Sequence, residues 1–286
     1  MRNKIKTFIV LLILSVTPIV SKAQFIGGDT INTCHIKVSS TTHGISMLNN
    51  LDTYLSGYNY HGAGYSYNHE NFRDARIGKY KFKYQTLFTG TIGATALYDS
   101  KQYALLLKRA WSGYHPFKIN ERLQFLAGAQ IQLAGGALYI PTNGNNLVSA
   151  KLRSSLAATG MAIYKIPLRT KKITTRYQID IPLIGVAFSP AFGQSYYEIF
   201  GLGNYDNILH LIHPFNAPSW RHTLSADIPI GKKNGTTVRA SYIADIFQTE
   251  INELRTHIYS HTFSIGIVKT LYKIKARNPL KIYSPF

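Results

Sequence analysis

The feature that most constrains this chain is a run of unbroken two-residue alternation, longer than globular strands normally sustain. In KYKFKYQTLF (79–88), lysine or glutamine stands at 79, 81, 83 and 85, with an aromatic ring or threonine at 80, 82, 84, 86 and 88. Period two is the signature of a β-strand with two chemically different faces. The pattern returns in RLQFLAGAQIQLAGG (122–136), ITTRYQIDIPL (173–183), SWRHTLSADIPI (219–230), TTVRASYIADI (236–246) and IYSHTFSIGIVKTLY (258–272). These segments run to ten residues or more, against about five or six for a globular strand.

Alternation alone fits two folds of opposite sense. A soluble sandwich turns its apolar face to a core, whereas a transmembrane barrel turns it to lipid and keeps polar groups inside. The polar faces decide. They collect Lys79, Lys81, Lys83, Arg122, Lys151, Arg153, Arg176, Arg221 and Arg239, with Asp180, Asp227 and Asp245 among them. The opposite faces, such as Leu123, Phe125, Ala127, Ala129, Ile131 and Leu133, hold almost no charge. A sandwich exterior carries both signs in similar number; a hydrogen-bonded barrel interior fits this set. Beyond the N-terminal segment there are no 18 consecutive apolar residues, so any spanning elements are strands. The fold expected is all-β: a closed antiparallel transmembrane β-barrel. Its ten strands are placed near 33–43, 61–72, 79–97, 102–113, 122–139, 147–164, 173–188, 219–230, 236–249 and 255–272. The count becomes twelve if the long segment after Ser189 forms its own hairpin.

The N-terminus agrees with export. Arg2, Lys4 and Lys6 precede a short apolar run from Phe8 to Val20, and Ser21 and Ala23 supply a small-residue cleavage site. That is the secretory signal pattern. The expected organisation is a signal peptide over 1–23, a barrel over 24–272 and a basic tail over 273–286. Removing the signal takes away four basic residues and no acid, so a net charge of +19 falls by four to +15. On an exported protein such an excess points to lipopolysaccharide phosphates, acidic glycans or anionic solutes rather than nucleic acid. Cys34 is the one cysteine and forms no internal disulfide.

Short polar connections at 115–122, 167–172 and 231–235 alternate with longer ones rich in Gly, Asn and aromatics. Barrels of the outer membrane show that asymmetry, with short periplasmic turns and longer extracellular loops. NLDTYLSGYNYHG (50–62) with Glu70 and Arg73, SYYEIFGLGN (195–204) and HIYSHTFSIGIVK (257–269) resemble a family of uncharacterised outer-membrane barrels common in Bacteroides-type bacteria. The resemblance implies an outer-membrane location and assembly by the barrel-assembly machinery. It carries over no catalytic residue.

Candidate binding residues lie in the loops. Asp52 and Tyr54 sit in LDTYLS, where Asp and Thr can instead cap a tight loop packed by Leu51, Tyr54 and Leu55. Tyr196, Tyr197 and Glu198 sit in a segment expected to fold into the barrel mouth as a constriction, or to bind a partner or glycan by stacking. His257 and His261 share a strand face but lie about 13 Å apart, too far to ligate one ion. His261 with Ser260 or Ser264 is the nearest approach to a hydrolytic pair, and strand neighbours point to opposite faces. No metal, cofactor or catalytic residue is expected. The functional expectation is an outer-membrane barrel of narrow, cationic lumen, acting as a small channel or as a structural or surface-binding barrel. The alternative is a membrane-embedded enzyme acting on lipid or lipopolysaccharide.

Overall fold

The structure, a computed structural model, describes residues 34–77, 80–144, 146–168, 171–230 and 236–274. The segment expected to be a signal peptide (1–23) and nearly all of the expected basic tail (273–286) lie outside them. The strands are β1 (Cys34–Asp52), β2 (Ser56–Ile77), β3 (Tyr80–Leu97), β4 (Ser100–Lys118), β5 (Leu123–Tyr139), β6 (Val148–Leu168), β7 (Lys171–Phe188), β8 (Leu209–Ile212), β9 (Ser219–Pro229), β10 (Thr237–Ile251) and β11 (Leu254–Ile274).

Each strand from β1 to β7 pairs antiparallel with the next, β7 continues to β9, β10 and β11, and β11 returns to β1. The sheet is therefore closed, with ten strands in the wall. Closure leaves no unpaired wall edge. The segment after Ser189 supplies one short strand rather than a hairpin: Gly185–Phe188 of β7 pairs with β8, while Thr174–Asp180 pairs with β9. The count of ten holds, and twelve does not.

Facing follows the alternation. Gln130 is 1% exposed while its neighbour Ile131 is 55% exposed. In KYKFKYQTLF, Gln85 is buried and reaches Gln178 on β7 across the interior at 2.9 Å, so the polar positions from 83 onward face in and the rings face out. One irregularity shifts the parity. The β6–β7 register slips between Leu156 and Ala157, pairing them with Ile184 and Pro182. The skipped residue, Leu183, and Ile184 are then both about half-exposed on the outer wall, and Ala187 instead of Val186 turns inward. Close strand approach requires glycine at several positions, most tightly at Gly128 and Gly266. A Cβ on Gly128 would meet the Gly113 carbonyl oxygen at 1.9 Å, and one on Gly266 would meet that of Thr41 at 1.9 Å.

Candidate functional site: the filled lumen and its mouth

The centre of the interior is built on Glu70 of β2. It accepts two parallel bonds from Arg176 of β7, at 3.0 and 2.6 Å, a third from Gln85 at 2.6 Å, and an ion pair from Arg239 of β10. Arg239 also donates to both oxygens of Asp227, at 2.5 and 2.7 Å, and to Ser40. Gln85 links this group to a second one. Tyr114 donates to Gln85 at 2.6 Å, and Gln178, Thr159 and Asp180 complete the circuit, with Thr159 donating to Asp180 at 2.5 Å. Ser112, Gln130 and Gln132 extend it along β4 and β5. Nearer the loop end, Asp245 holds Lys108 at 2.7 Å and Arg221 at 2.8 Å. Buried charges of this kind persist only when paired and hydrogen-bonded, and here they bridge strands from every side of the barrel.

The mouth is closed by apolar packing. Leu48, Tyr54, Leu55, Tyr60, Leu138 and Ile140 form one buried cluster, with Tyr196 packed against it. Asp52 ends β1 beneath this layer and pairs with Lys151 at 2.8 Å. It also accepts the Tyr54 backbone N–H at 3.3 Å, which turns the chain back into β2. The Tyr54 hydroxyl donates to the Gln194 carbonyl at 2.9 Å, fastening the 189–218 loop over the opening. Burial, then the neighbouring Tyr196, Asp52 and Glu198, push the Tyr54 hydroxyl pKa upward, so the hydroxyl keeps its proton and remains a donor. Residues 197–201 form a single π-helical turn whose Ile199 is fully buried.

The loop candidates therefore separate. Asp52 is a lumen acid rather than a loop ligand, because its carboxylate meets Lys151 from β6. Tyr54 and Tyr196 pack inward, with ring centroids 5.6 Å apart. Tyr197 points outward, 71% exposed, and Glu198 is partly exposed.

The expected lumen bases also need correction. Lys151, Arg153, Arg176, Arg221 and Arg239 face in, as do Asp180, Asp227 and Asp245. Arg122 does not. Asn120 accepts the backbone N–H groups of Arg122 and Leu123 at 2.8 Å each, which bends 119–122 into an exposed turn before β5 begins. Lys81 is exposed near the turn end of the barrel, Lys83 pairs with Asp74 at that rim, and Lys79 lies outside the described residues. Sequence reading missed three inward charges: Lys108, Glu70 and Asp52. For Lys108 a signal was available, since Gln102, Lys108 and Ser112 share one parity of β4. Between the rims the described interior holds six bases (Lys108, Lys151, Arg153, Arg176, Arg221, Arg239) against five acids (Asp52, Glu70, Asp180, Asp227, Asp245).

The outer wall is apolar with a few polar pairs. Tyr177 and His222 are hydrogen-bonded at 2.6 Å, Tyr242 and His261 at 2.7 Å, and Tyr65 bonds His43. His261 thus faces out, while Ser260 and Ser264 line or approach the interior, so the nearest approach to a hydrolytic pair in the sequence is not brought together. Among the described residues no group of three or more His, Cys, Asp or Glu could hold a metal ion.

The sequence matches the family described as "Protein of unknown function (DUF3316)" over residues 7–278. The chain belongs to that family. None of the curated proteins compared matches the chain. Among solved structures, this DUF3316 chain is similar to the outer-membrane protease OmpT of Escherichia coli, at 8% identity and TM-score 0.39, covering 87% of this chain and 99% of that one. It is also similar to the transport unit of the E. coli autotransporter AIDA-I, at 7% identity and TM-score 0.39, covering 86% and 94%. The COG4313 outer-membrane channel of Pseudomonas putida F1 is similar at 10% identity and TM-score 0.34, covering 86% and 100%.

Proposed function

We propose that this protein is an outer-membrane barrel with a closed lumen, acting through the loop end it presents outside the cell rather than by passing solute. The carrying observation is the continuity of the filling. The apolar mouth layer, the Lys108–Asp245–Arg221 group and the Glu70 network follow one another down the interior, and the cavities lined by the Lys108–Asp245–Arg221 group and by the Glu70 network measure about 100 and 50 Å³. An outer wall of half-exposed Leu, Ile and Phe suits lipid, with the inside-out pattern that a barrel uses. Insertion there would rely on the barrel-assembly machinery, and the wall would meet outer-membrane lipid and lipopolysaccharide.

The loop end supplies the working surface. Phe192, Tyr197, Phe200 and Leu202 are exposed on the loop that covers the mouth, and Phe215 beyond β8 is 95% exposed. Exposed rings in a fixed loop suit stacking on a glycan or on an apolar partner surface. The lumen expected to be cationic is nearly balanced among the described residues, because Lys81, Lys83 and Arg122 stay at the rim or outside it while Glu70 and Asp52 join the inward acids. The residual surplus favours anions only weakly.

Planar-bilayer recording of the purified full chain tests this reading. The expected record is flat, or shows small openings with weak anion preference. Large steps, of either selectivity, would overturn it.

A further inference from the structure

The larger lumen cavity, of about 100 Å³, lies between the mouth layer and the Glu70 network. Its wall includes Lys108, Lys151, Arg153 and Arg221, with Asp245 as its one carboxylate among the lining residues. Asp245 is taken by Lys108 and Arg221, and Lys151 is taken by Asp52. Arg153 is different. Its guanidinium lies 3.7 Å from the centroid of the Phe247 ring, and the ion pairs of the described lumen pass it by.

The polar atoms left over on this wall share one character. Buried and without a hydrogen-bond partner are Arg153 Nη1, Arg221 Nε, Asn68 Nδ2 and Thr249 Oγ1. Three are N–H donors that cannot accept, and the fourth is a hydroxyl able to donate. The orphaned acceptors of the barrel, such as Asn50 Oδ1 and Gln132 Oε1, are not on this wall. Unmet buried donors are costly, and an unpaired buried cation is costlier still. Water offers each donor an acceptor but leaves the Arg153 charge with only Asp245 to offset it, a carboxylate already shared by Lys108 and Arg221.

We infer that the cavity is a binding site for one small inorganic anion, held by Arg153 and Arg221 with Asn68 and Thr249 completing its shell. A halide or a tetrahedral oxyanion is the class that fits: compact, acceptor-only and singly or doubly charged. The anion would be a structural ion set into the wall-to-wall network, and the inference stands whether or not the loop end binds a glycan.

The test is the urea unfolding of the full chain folded into phosphatidylcholine vesicles, with gluconate as the background anion. Chloride, bromide and phosphate are then titrated separately. One bound anion should raise the folding equilibrium constant about tenfold for each tenfold rise in anion above its Kd. The dependence should vanish in Arg153→Met and persist in the rim control Lys83→Gln. If Arg153→Met does not fold, Thr249→Val should fold and shift the anion dependence to higher concentration. Bromide-soaked crystals should show an anomalous peak between Arg153 and Arg221. An equal anion response in wild type, Arg153→Met and Lys83→Gln, or the absence of any response to all three anions, overturns the proposal.

Discussion

Replacing Glu70 by glutamine keeps the size of the side chain and removes its charge. Two arginines are affected, but unequally. Arg239 retains Asp227, to which it donates at 2.5 and 2.7 Å. Arg176 has no other carboxylate among the described ion pairs, and its side chain is 11% exposed. The substitution therefore strands one buried charge rather than two. Stranding a buried charge costs about 3–5 kcal/mol, which is roughly two to three and a half powers of ten in the folding equilibrium constant. The reverse truncation, Arg176→Met, should cost less, about 1.5–3 kcal/mol, because Glu70 keeps Arg239, Gln85 and Ser40. The double variant Glu70→Gln with Arg176→Met should cost less than the sum, since neither charge is then left alone. Urea titration in lipid vesicles, followed by gel mobility and by the fluorescence of Trp111 and Trp220, gives all three values. If Arg176→Met costs as much as Glu70→Gln, or the double variant costs the full sum, the assignment of Arg176 as the dependent partner is wrong.

Two further perturbations probe the wall and the mouth. Arg109 is the central residue of β4, outward-facing between Leu107 and Trp111, with its guanidinium 5.6 Å from the Trp111 ring. In hydrocarbon an exposed arginine costs about 2–4 kcal/mol, so Arg109→Leu should stabilise the folded barrel in vesicles and Ile131→Arg should destabilise it by a similar amount; a loss of stability in Arg109→Leu would mean that a partner or lipid headgroup covers this site. Tyr54→Phe removes the hydroxyl that holds the Gln194 carbonyl, and should raise the rate of proteolytic nicking within 189–218 several-fold while leaving the heat-modified gel shift of the barrel unchanged. An unchanged nicking rate would assign closure of the mouth to packing alone.

Much of the fold can be read directly from residue order. Period-two alternation placed the ten wall strands and told inside from outside along most of them, because a pleated strand gives consecutive residues to opposite faces whatever its neighbours are. The places where this reading failed have local causes. Around Lys108 the run Leu105, Leu106 and Leu107 fills both faces with leucine, so the contrast between faces is lost locally and survives only at Gln102 and Ser112, further along β4. Between Tyr67 and Phe72 both faces hold polar or aromatic groups, which hid Glu70 as a lumen acid. Arg122 continued the alternation of β5, but Asn120 had already turned the chain out of the sheet.

What residue order could not supply is who meets whom. Glu70 finds Arg176 106 residues later and Arg239 169 residues later. The Tyr54 hydroxyl finds a carbonyl 140 residues away. Facing is a property of one strand, fixed by its own pleat. Height and partner across the lumen depend on the stagger accumulated through every strand pair and closed by β11 on β1. Alternation and charge placement along the chain thus specify a long-stranded, inside-out barrel with a charged interior. Only closure of that barrel decided which charges meet, that Asp52 joins the lumen, and that Arg153 stands outside the ion pairs of the described residues.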